Sequence, residues 1–383
     1  MKIVDVRAIP LVRPLAETFR GGTYQITSRN TLITEIETDT GLIGSAFGGD
    51  EEKYQNDVVA VIESVFKPLL IGEEAEDVER LWDKMFRADP GLENRGIHTL
   101  DLNNKAIQMQ AIAAVDIALW DLLGKHHGVP LYKLLGGFRD CVPVIAIGGY
   151  YADGKGDKEL IEEMKGYRAA GLAGVKMKVG RAAVEEDVRR VRIVREALGR
   201  DFVIACDANQ AWVPEDAIRF GRGVEDLGIR WLEEPVVWYE QLRGLRRLRQ
   251  AVHIPVVAGQ GEISRFGCRD LIVNEAVDIL NVDVTIAGGI TEWRRIAGMA
   301  STFGVGMAHH EEPQVAIHLL ASIPHGLYVE IFQNPDRDPV WFELPLQQPE
   351  IRGGSMRVPK GPGLGIDLNP EIIARYSGRS VVH

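Results

Sequence analysis

Two lysines one residue apart, Lys176 and Lys178, stand inside the apolar stretch GVKMKVG at residues 174–180. Strand side chains alternate faces, so both ammonium groups point one way while Val175, Met177 and Val179 point the other. Two cations side by side resist burial unless something anionic waits on their face. Downstream, polar groups recur in series: Asp207 with Asn209, Glu233 with Glu234, Gln260 with Glu262, then Asp283, His309 with His310, and Glu330. Singly, each has a plain structural explanation. An aspartate after a strand caps a helix, paired glutamates make a solvated turn, and strand lysines keep their heads in water at an edge. An ordered series of such groups is harder to explain that way.

Carboxylates converging from adjacent strands make a hard, oxygen-rich site suited to Mg²⁺, whereas zinc would call for His or Cys ligands. A divalent metal on a substrate carboxylate stabilises the enediolate formed when the α-proton is removed, a proton otherwise too weakly acidic for a side chain. Lys178, flanked by another cation and a metal, is expected to have its pKa lowered towards that of a usable base. Lys176 can hold a carboxylate oxygen as a plain charge. His310 with Asp283 is the pairing that fixes an imidazole tautomer for proton transfer. Lys178 and His310 would approach a bound α-carbon from opposite faces. The residues thus point to metal-assisted α-proton abstraction with two opposed acid–base groups.

Such groups need a frame that brings them together. Apolar, β-branched stretches begin near Val142, Gly174, Phe202, Ile229, Ile254, Val277, Val305 and Leu327. Between them lie helix-like segments such as DKELIEEMKGYRAAG and AAVEEDVRRVRIVREALG, with Gly171 and Gly199 where C-caps are expected. Eight buried-type strands alternating with helices fit a closed parallel barrel, and the polar series falls at the strands' C-terminal ends, where barrel active sites lie. No glycine-rich phosphate loop follows the first strand, which argues against an open dinucleotide-binding sheet. The first ~130 residues differ: TLITEIETDTGLIGSAFGG reads as an antiparallel hairpin, and QAIAAVDIALWDLLGKHHG as an amphipathic helix ending on glycine. The tail after ~345 is rich in Gly and Pro.

Composition narrows the partners. At 383 residues the prior is two domains. No apolar run approaches the ~18–20 residues needed to span a bilayer, and the start does not read as a signal peptide. Three cysteines, Cys141, Cys206 and Cys268, without metal-ligand spacing read as reduced thiols of a cytoplasmic protein. A net charge of −11 argues against nucleic acid but not against a small anionic substrate, which a local cation cluster can hold.

Nearly the whole chain resembles the enolase superfamily, and within it the mandelate racemase subgroup. The likeness rests on AIAAVDIALWDLLGKHHGVPLYKLLGG (111–137), VKMK, DANQAW, WLEEP, DVTIAGGITEW, GVGMAHHEEPQVAIHLL and PGLGID. It implies an α/β fold, a (β/α)7β modified TIM barrel with an α+β capping domain: residues 1–130 as the cap, 131–345 as the barrel and 346–383 returning to the cap. It also implies one Mg²⁺ per subunit. Lys178 would be the base on one face, with Lys176 contacting the substrate carboxylate. Asp207 and Glu233 would be metal ligands, leaving Glu234 beside them. His310 would be the opposed acid–base oriented by Asp283, Glu330 would hydrogen-bond the substrate carboxylate, and His309 would support. The third ligand usually follows the fifth strand as GE, but here Gln260 occupies that place and Glu262 comes two later. Both would face the same way if the strand continued, and Glu262 is expected to be the ligand because a carboxylate holds Mg²⁺ better than an amide.

Within that subgroup the same machinery serves racemisation and dehydration of sugar acids. The lid segments 16–30 and 48–56 are polar and glycine-containing, without the clustered aliphatics that would receive an aryl group. Tyr24 lies in the first lid, Tyr150 and Tyr151 follow the first barrel strand, and Asn209 follows Asp207; all could meet a polyol. Arg20 could meet a second carboxylate. The expectation is an acid sugar dehydratase, a hydro-lyase giving a 2-keto-3-deoxy acid, in a homo-oligomer. The alternatives are a racemase or epimerase of a 2-hydroxy acid, a non-catalytic binding or regulatory paralogue and, disfavoured by the carboxylates, a Schiff-base aldolase.

Overall fold

In the computed structural model, which describes residues 1–49, 53–88 and 102–377, the chain opens with an antiparallel sheet of β1 (Ile3–Arg20), β2 (Gln25–Thr38) and β3 (Ile43–Gly48). The alternation read in the sequence sets its faces. Thr34, Ile36 and Thr38 turn inward, while Glu35 and Glu37 meet Arg7 on the outer side.

The helix Leu102–His127 follows. It was expected to be amphipathic but is buried on nearly every side, with Ala111, Ile112, Ala113, Val115, Asp116, Ala118 and Leu119 fully covered. The reason is its position, packed against β3 on one side and the helix Gly289–Thr302 on the other. Asn104–His127 is in fact long and apolar enough to pass for a membrane span by composition, but 78% of that window is buried inside the fold. Asp116 fixes the junction by accepting hydrogen bonds from Thr291 N (2.9 Å) and Thr291 Oγ1 (2.6 Å) at the second helix's N-terminus. Gly289 makes room for it: a Cβ there would sit 2.5 Å from Asp116 Oδ2.

The eight apolar stretches become β4 (Cys141–Gly148), β5 (Gly174–Lys178), β6 (Val203–Asp207), β7 (Leu232–Glu233), β8 (Val256–Ala258), β9 (Ile279–Leu280), β10 (Gly306–Met307) and β11 (Val329–Ile331). From β4 to β10 each is parallel to the next, and β11 pairs back onto β4. A bridge from Met307 to Gly326 joins β10 to the chain entering β11 and closes the barrel. Ile145, Ala205, Trp231, Val257, Ile279 and Ala308 fill its interior as a packed layer. The tail returns in two steps. Of β12 (Ile351–Arg352) and β13 (Ser355–Arg357), the second pairs antiparallel with β4, and the helix Pro370–Ser377 packs on β1.

Candidate active site

Pleat and register bring the first part of the site together. Lys178 pairs with Asp207, and Asp207 with Glu233, so three polar side chains from β5, β6 and β7 share one level at the strands' C-terminal ends. All are buried, as is Lys176. Lys178 Nζ donates to Asp207 Oδ2 (2.6 Å). Lys176 Nζ donates to Glu233 Oε1 (2.6 Å) and Glu330 Oε2 (2.8 Å) and lies 3.6 Å from Asp207 Oδ2. Trp231 Nε1 holds the other oxygen of Glu233 at 3.0 Å. The anion expected on the lysine face is thus, in the protein itself, a set of three carboxylates around two ammonium groups.

That surplus governs the electrostatics. Burial alone would lower Lys176, but Glu233, Glu330 and Asp207 outweigh it and hold its pKa above the ordinary lysine value. Lys178 behaves likewise: burial pulls it down, while Asp207 and the tyrosines Tyr24 and Tyr150 raise it well above its usual value. The expected lowering depends on a metal ion at Asp207; from the protein's own groups alone, the adjacent carboxylate acts on Lys178 more strongly than the neighbouring ammonium does. Burial would raise Asp207, yet Lys178 and Lys176 bring it down to about 2. Glu233 is pushed up to about 8 by burial, with Asp207 and Glu330 adding to it against Lys176.

The second part lies across the mouth, on the loops after β9 and β10. His310 Nδ1 is 3.0 Å from Asp283 Oδ2. Thr285 holds the other Asp283 oxygen through its N–H (2.8 Å) and its hydroxyl (2.6 Å). Although burial opposes charge, Glu311 and Asp283 raise the His310 pKa to about 10. His309 turns away: its Nε2 accepts from Val284 N (3.2 Å) and its Nδ1 faces the carbonyls of His310 and Glu311, so it pins the loop as a neutral ring.

The lid between β1 and β2 closes over β5 and β6. Thr23 Oγ1 donates to Asn209 O (2.9 Å), and the Tyr24 ring lies 5.6 Å from Lys178 Nζ, with Tyr150 at 5.9 Å. Asn209 binds both Asp207 oxygens through its backbone N–H (2.9 Å) and Nδ2 (3.3 Å). Its own buried Oδ1 has no hydrogen-bond partner.

Three expected contributors are not brought to the site. Tyr151 Oη donates to Asp187 (2.6 Å) and its ring stacks under Arg190, which turns it towards the helix Val184–Leu198. Arg20 reaches out to the exposed Asp153 at 3.4 Å. Glu262 fails for a backbone reason. β8 ends at Ala258, and Glu262 N bonds to Gly259 O (3.1 Å) in a tight turn, so the alternation of faces does not continue. Its carboxylate lies against Gly267 on the outer wall, where burial raises its pKa to about 7. Gln260 instead meets Asn281 Nδ2 at 3.4 Å. Glu234 is a structural anchor that accepts from the N–H groups of Gly259 (2.8 Å) and Gln260 (3.3 Å). Among the described residues, no group of three or more His, Cys, Asp or Glu side chains is arranged to hold a metal. Asp207 and Glu233, with the orphaned Asn209 oxygen, nevertheless form an oxygen donor set of the kind Mg²⁺ takes.

Two site residues escaped the sequence reading. Arg29 of β2 is buried and reaches Asp338 (3.2 Å), Glu311 (3.3 Å) and Glu312 (3.8 Å), which ties the cap to the segments after β11 and β10. Glu311 stands 3.6 Å from His310 Nε2. The only sequence signal for it was the doubled acid in HHEEP.

Residues 159–372 match the enolase C-terminal domain-like family, and residues 6–136 match the mandelate racemase/muconate lactonizing enzyme N-terminal domain. The chain belongs to the enolase superfamily, in its mandelate racemase subgroup. An arabinonate dehydratase of Saccharolobus solfataricus is 34% identical, over 91% of each chain. The L-talarate/galactarate dehydratase of Salmonella typhimurium is 32% identical, over 95% of this chain and 87% of that one. Among solved structures, a mandelate racemase/muconate lactonizing enzyme from a marine actinobacterium, in complex with magnesium, aligns with a TM-score of 0.88 at 42% identity, covering 98% of this chain and 99% of that one. This superfamily member therefore carries its cap, its closed barrel and its polar strand ends in one arrangement.

Proposed function

We propose that the protein is a Mg²⁺-dependent acid sugar dehydratase that removes the proton α to a carboxylate and expels a β-hydroxyl. The observation that supports this reading is that Lys178 on β5, bonded to Asp207, and the His310–Asp283 pair on the loops after β9 and β10 lie at the same end of one closed parallel barrel. Its support from relatives is the dehydratase activity named for the arabinonate and talarate/galactarate enzymes. Asp207 and Glu233 would hold the metal, with the amide oxygens of Asn209 and Gln260 beside them rather than Glu262. The chemistry a magnesium ion supplies when bound there is charge neutralisation, of those two carboxylates and of the substrate carboxylate as its α-proton leaves. Lys176 positions a carboxylate oxygen. With the charge of Asp207 neutralised in that way, Lys178 loses the partner that keeps it protonated, so its neutral amine accepts the α-proton, and the C–H electron pair moves into the enediolate. As that pair forms the Cα–Cβ double bond, the Cβ–O bond breaks and the hydroxyl takes the His310 proton and leaves as water. The enol then becomes the 2-keto-3-deoxy acid. Tyr24 and Tyr150, closed down by the lid, wall the polyol side and exclude water.

The test is a screen of mono- and diacid sugars with Mg²⁺, read by keto-acid formation and repeated in D₂O. Dehydration of one library member by the native enzyme, lost in Lys178→Ala, is the expected result. Deuterium exchange at the α-carbon without keto product would establish racemase chemistry instead.

A further inference from the structure

Glu311 occupies a place that the α-proton chemistry does not require. Its backbone φ is +50°, and Glu312 after it has φ +48°. Two successive non-glycine residues in the left-handed region are disfavoured, and such strain persists where the side chains are needed. Both side chains are buried and engaged. Glu312 accepts from Gly49 N (3.0 Å) and Gln314 Nε2 (2.6 Å), facing the cap. Glu311 faces the chamber: Oε1 is 3.6 Å from His310 Nε2, Oε2 accepts from Arg29 Nη1 (3.3 Å), and its N–H donates to Glu330 Oε2 (3.2 Å).

His310 therefore has a carboxylate on each side, Asp283 at Nδ1 and Glu311 at Nε2. Ionised carboxylates only accept hydrogen bonds, and a neutral imidazole has one nitrogen that cannot donate. Only the imidazolium presents an N–H and a positive charge towards both neighbours. The groups around it are Asp283 from the loop after β9, Lys176 from β5, Glu330 from β11, His309 and Glu311 from its own loop, and Arg29 and Arg337 acting behind Glu311. The balance favours the charged ring, with Glu311 the largest favourable contribution. At 3.6 Å, Glu311 pairs with the ring without a hydrogen bond, which leaves the Nε2 proton available to a substrate hydroxyl.

We propose that Glu311 is a positioning residue that keeps His310 as an imidazolium, so that His310 is the acid and Lys178 the base of a one-directional elimination. The inference rests on the dehydratase reading for its purpose. In the elimination, His310 gives its Nε2 proton to the departing hydroxyl and ends neutral, while Lys178 retains the α-proton.

The experiment follows the histidine imidazole signals by ¹⁵N NMR across pH in the full-length, Mg²⁺-loaded protein, with His310 identified as the signal missing from His310→Asn. Glu311→Gln is expected to lower the His310 midpoint by about one pH unit or more, a tenfold change in its protonation equilibrium. Glu311→Asp, the second variant, should recover part of the shift. The alkaline limb of the kcat profile should move down with the midpoint. An unchanged His310 midpoint in both variants overturns the proposal, as does a uniform fall in kcat with no movement of the profile. Should the native enzyme dehydrate no acid sugar, the dehydratase reading fails while the titration still decides whether Glu311 sets the charge of His310.

Discussion

Gly22→Ala would test whether the lid must seat fully for catalysis. Gly22 does not have a positive φ, so alanine fits its backbone. Space is the obstacle. An added Cβ would lie 2.6 Å from the carbonyl oxygen of Ala208 and 2.9 Å from that of Val179, both backbone atoms just beyond β6 and β5. Neither can swing aside, so the lid has to lift. Lifting takes Thr23 Oγ1 off Asn209 O and the Tyr24 ring away from Lys178. Overpacking of this kind costs about 1–3 kcal/mol. Because the overlap exists only in the closed state, it should appear as a loss of kcat/KM of roughly 5- to 150-fold, with little change in melting temperature. The assay is steady-state turnover of the sugar acid found by screening, with calorimetry alongside. Gly166→Ala, where an added Cβ meets nothing within 4 Å, serves as the control and should keep native turnover. Native kcat/KM in Gly22→Ala would refute the closure argument. A matching fall in melting temperature would refute it differently, by showing that the contact serves folding of the cap.

Magnesium binding separates the candidate ligands: by titration calorimetry Asp207→Asn and Gln260→Ala should each weaken it by roughly tenfold or more. Glu262→Gln should leave it near native, since that carboxylate lies against Gly267. His318 supplies a pH dependence of stability. Burial holds its pKa down to about 4, and its Nδ1 accepts from Tyr132 N (3.3 Å) while Nε2 faces Leu364 O (3.0 Å). Between about 4 and the ordinary value near 6.5 the unfolded chain binds the extra proton, so stability is full above that window and falls as pH drops through it. The loss should be on the order of 3 kcal/mol by pH 4, read from denaturant midpoints, and His318→Gln should flatten that part of the curve.

The barrel and half the site could be read from the sequence for the same reason. A strand-end residue takes its direction from the pleat, so Lys176, Lys178, Asp207 and Glu233 could be assigned a common face once the strands were recognised. Gln260 and Glu262 show where that logic stops, because a strand boundary misplaced by a residue or two decides which side chain turns inward. Loop residues obey a different rule. Tyr151 is drawn off by Asp187 and Arg20 by Asp153, partners that no local pattern discloses. Arg29 is the extreme case: a polar residue in a cap strand, it reads as solvent-facing, yet it is buried against Glu311, 282 positions away. The α-proton chemistry, set on strands, was therefore open to sequence reasoning. The polarity of that chemistry, which side gives a proton and which takes one, depends on Arg29 and Glu311, and these meet only when the cap docks on the barrel.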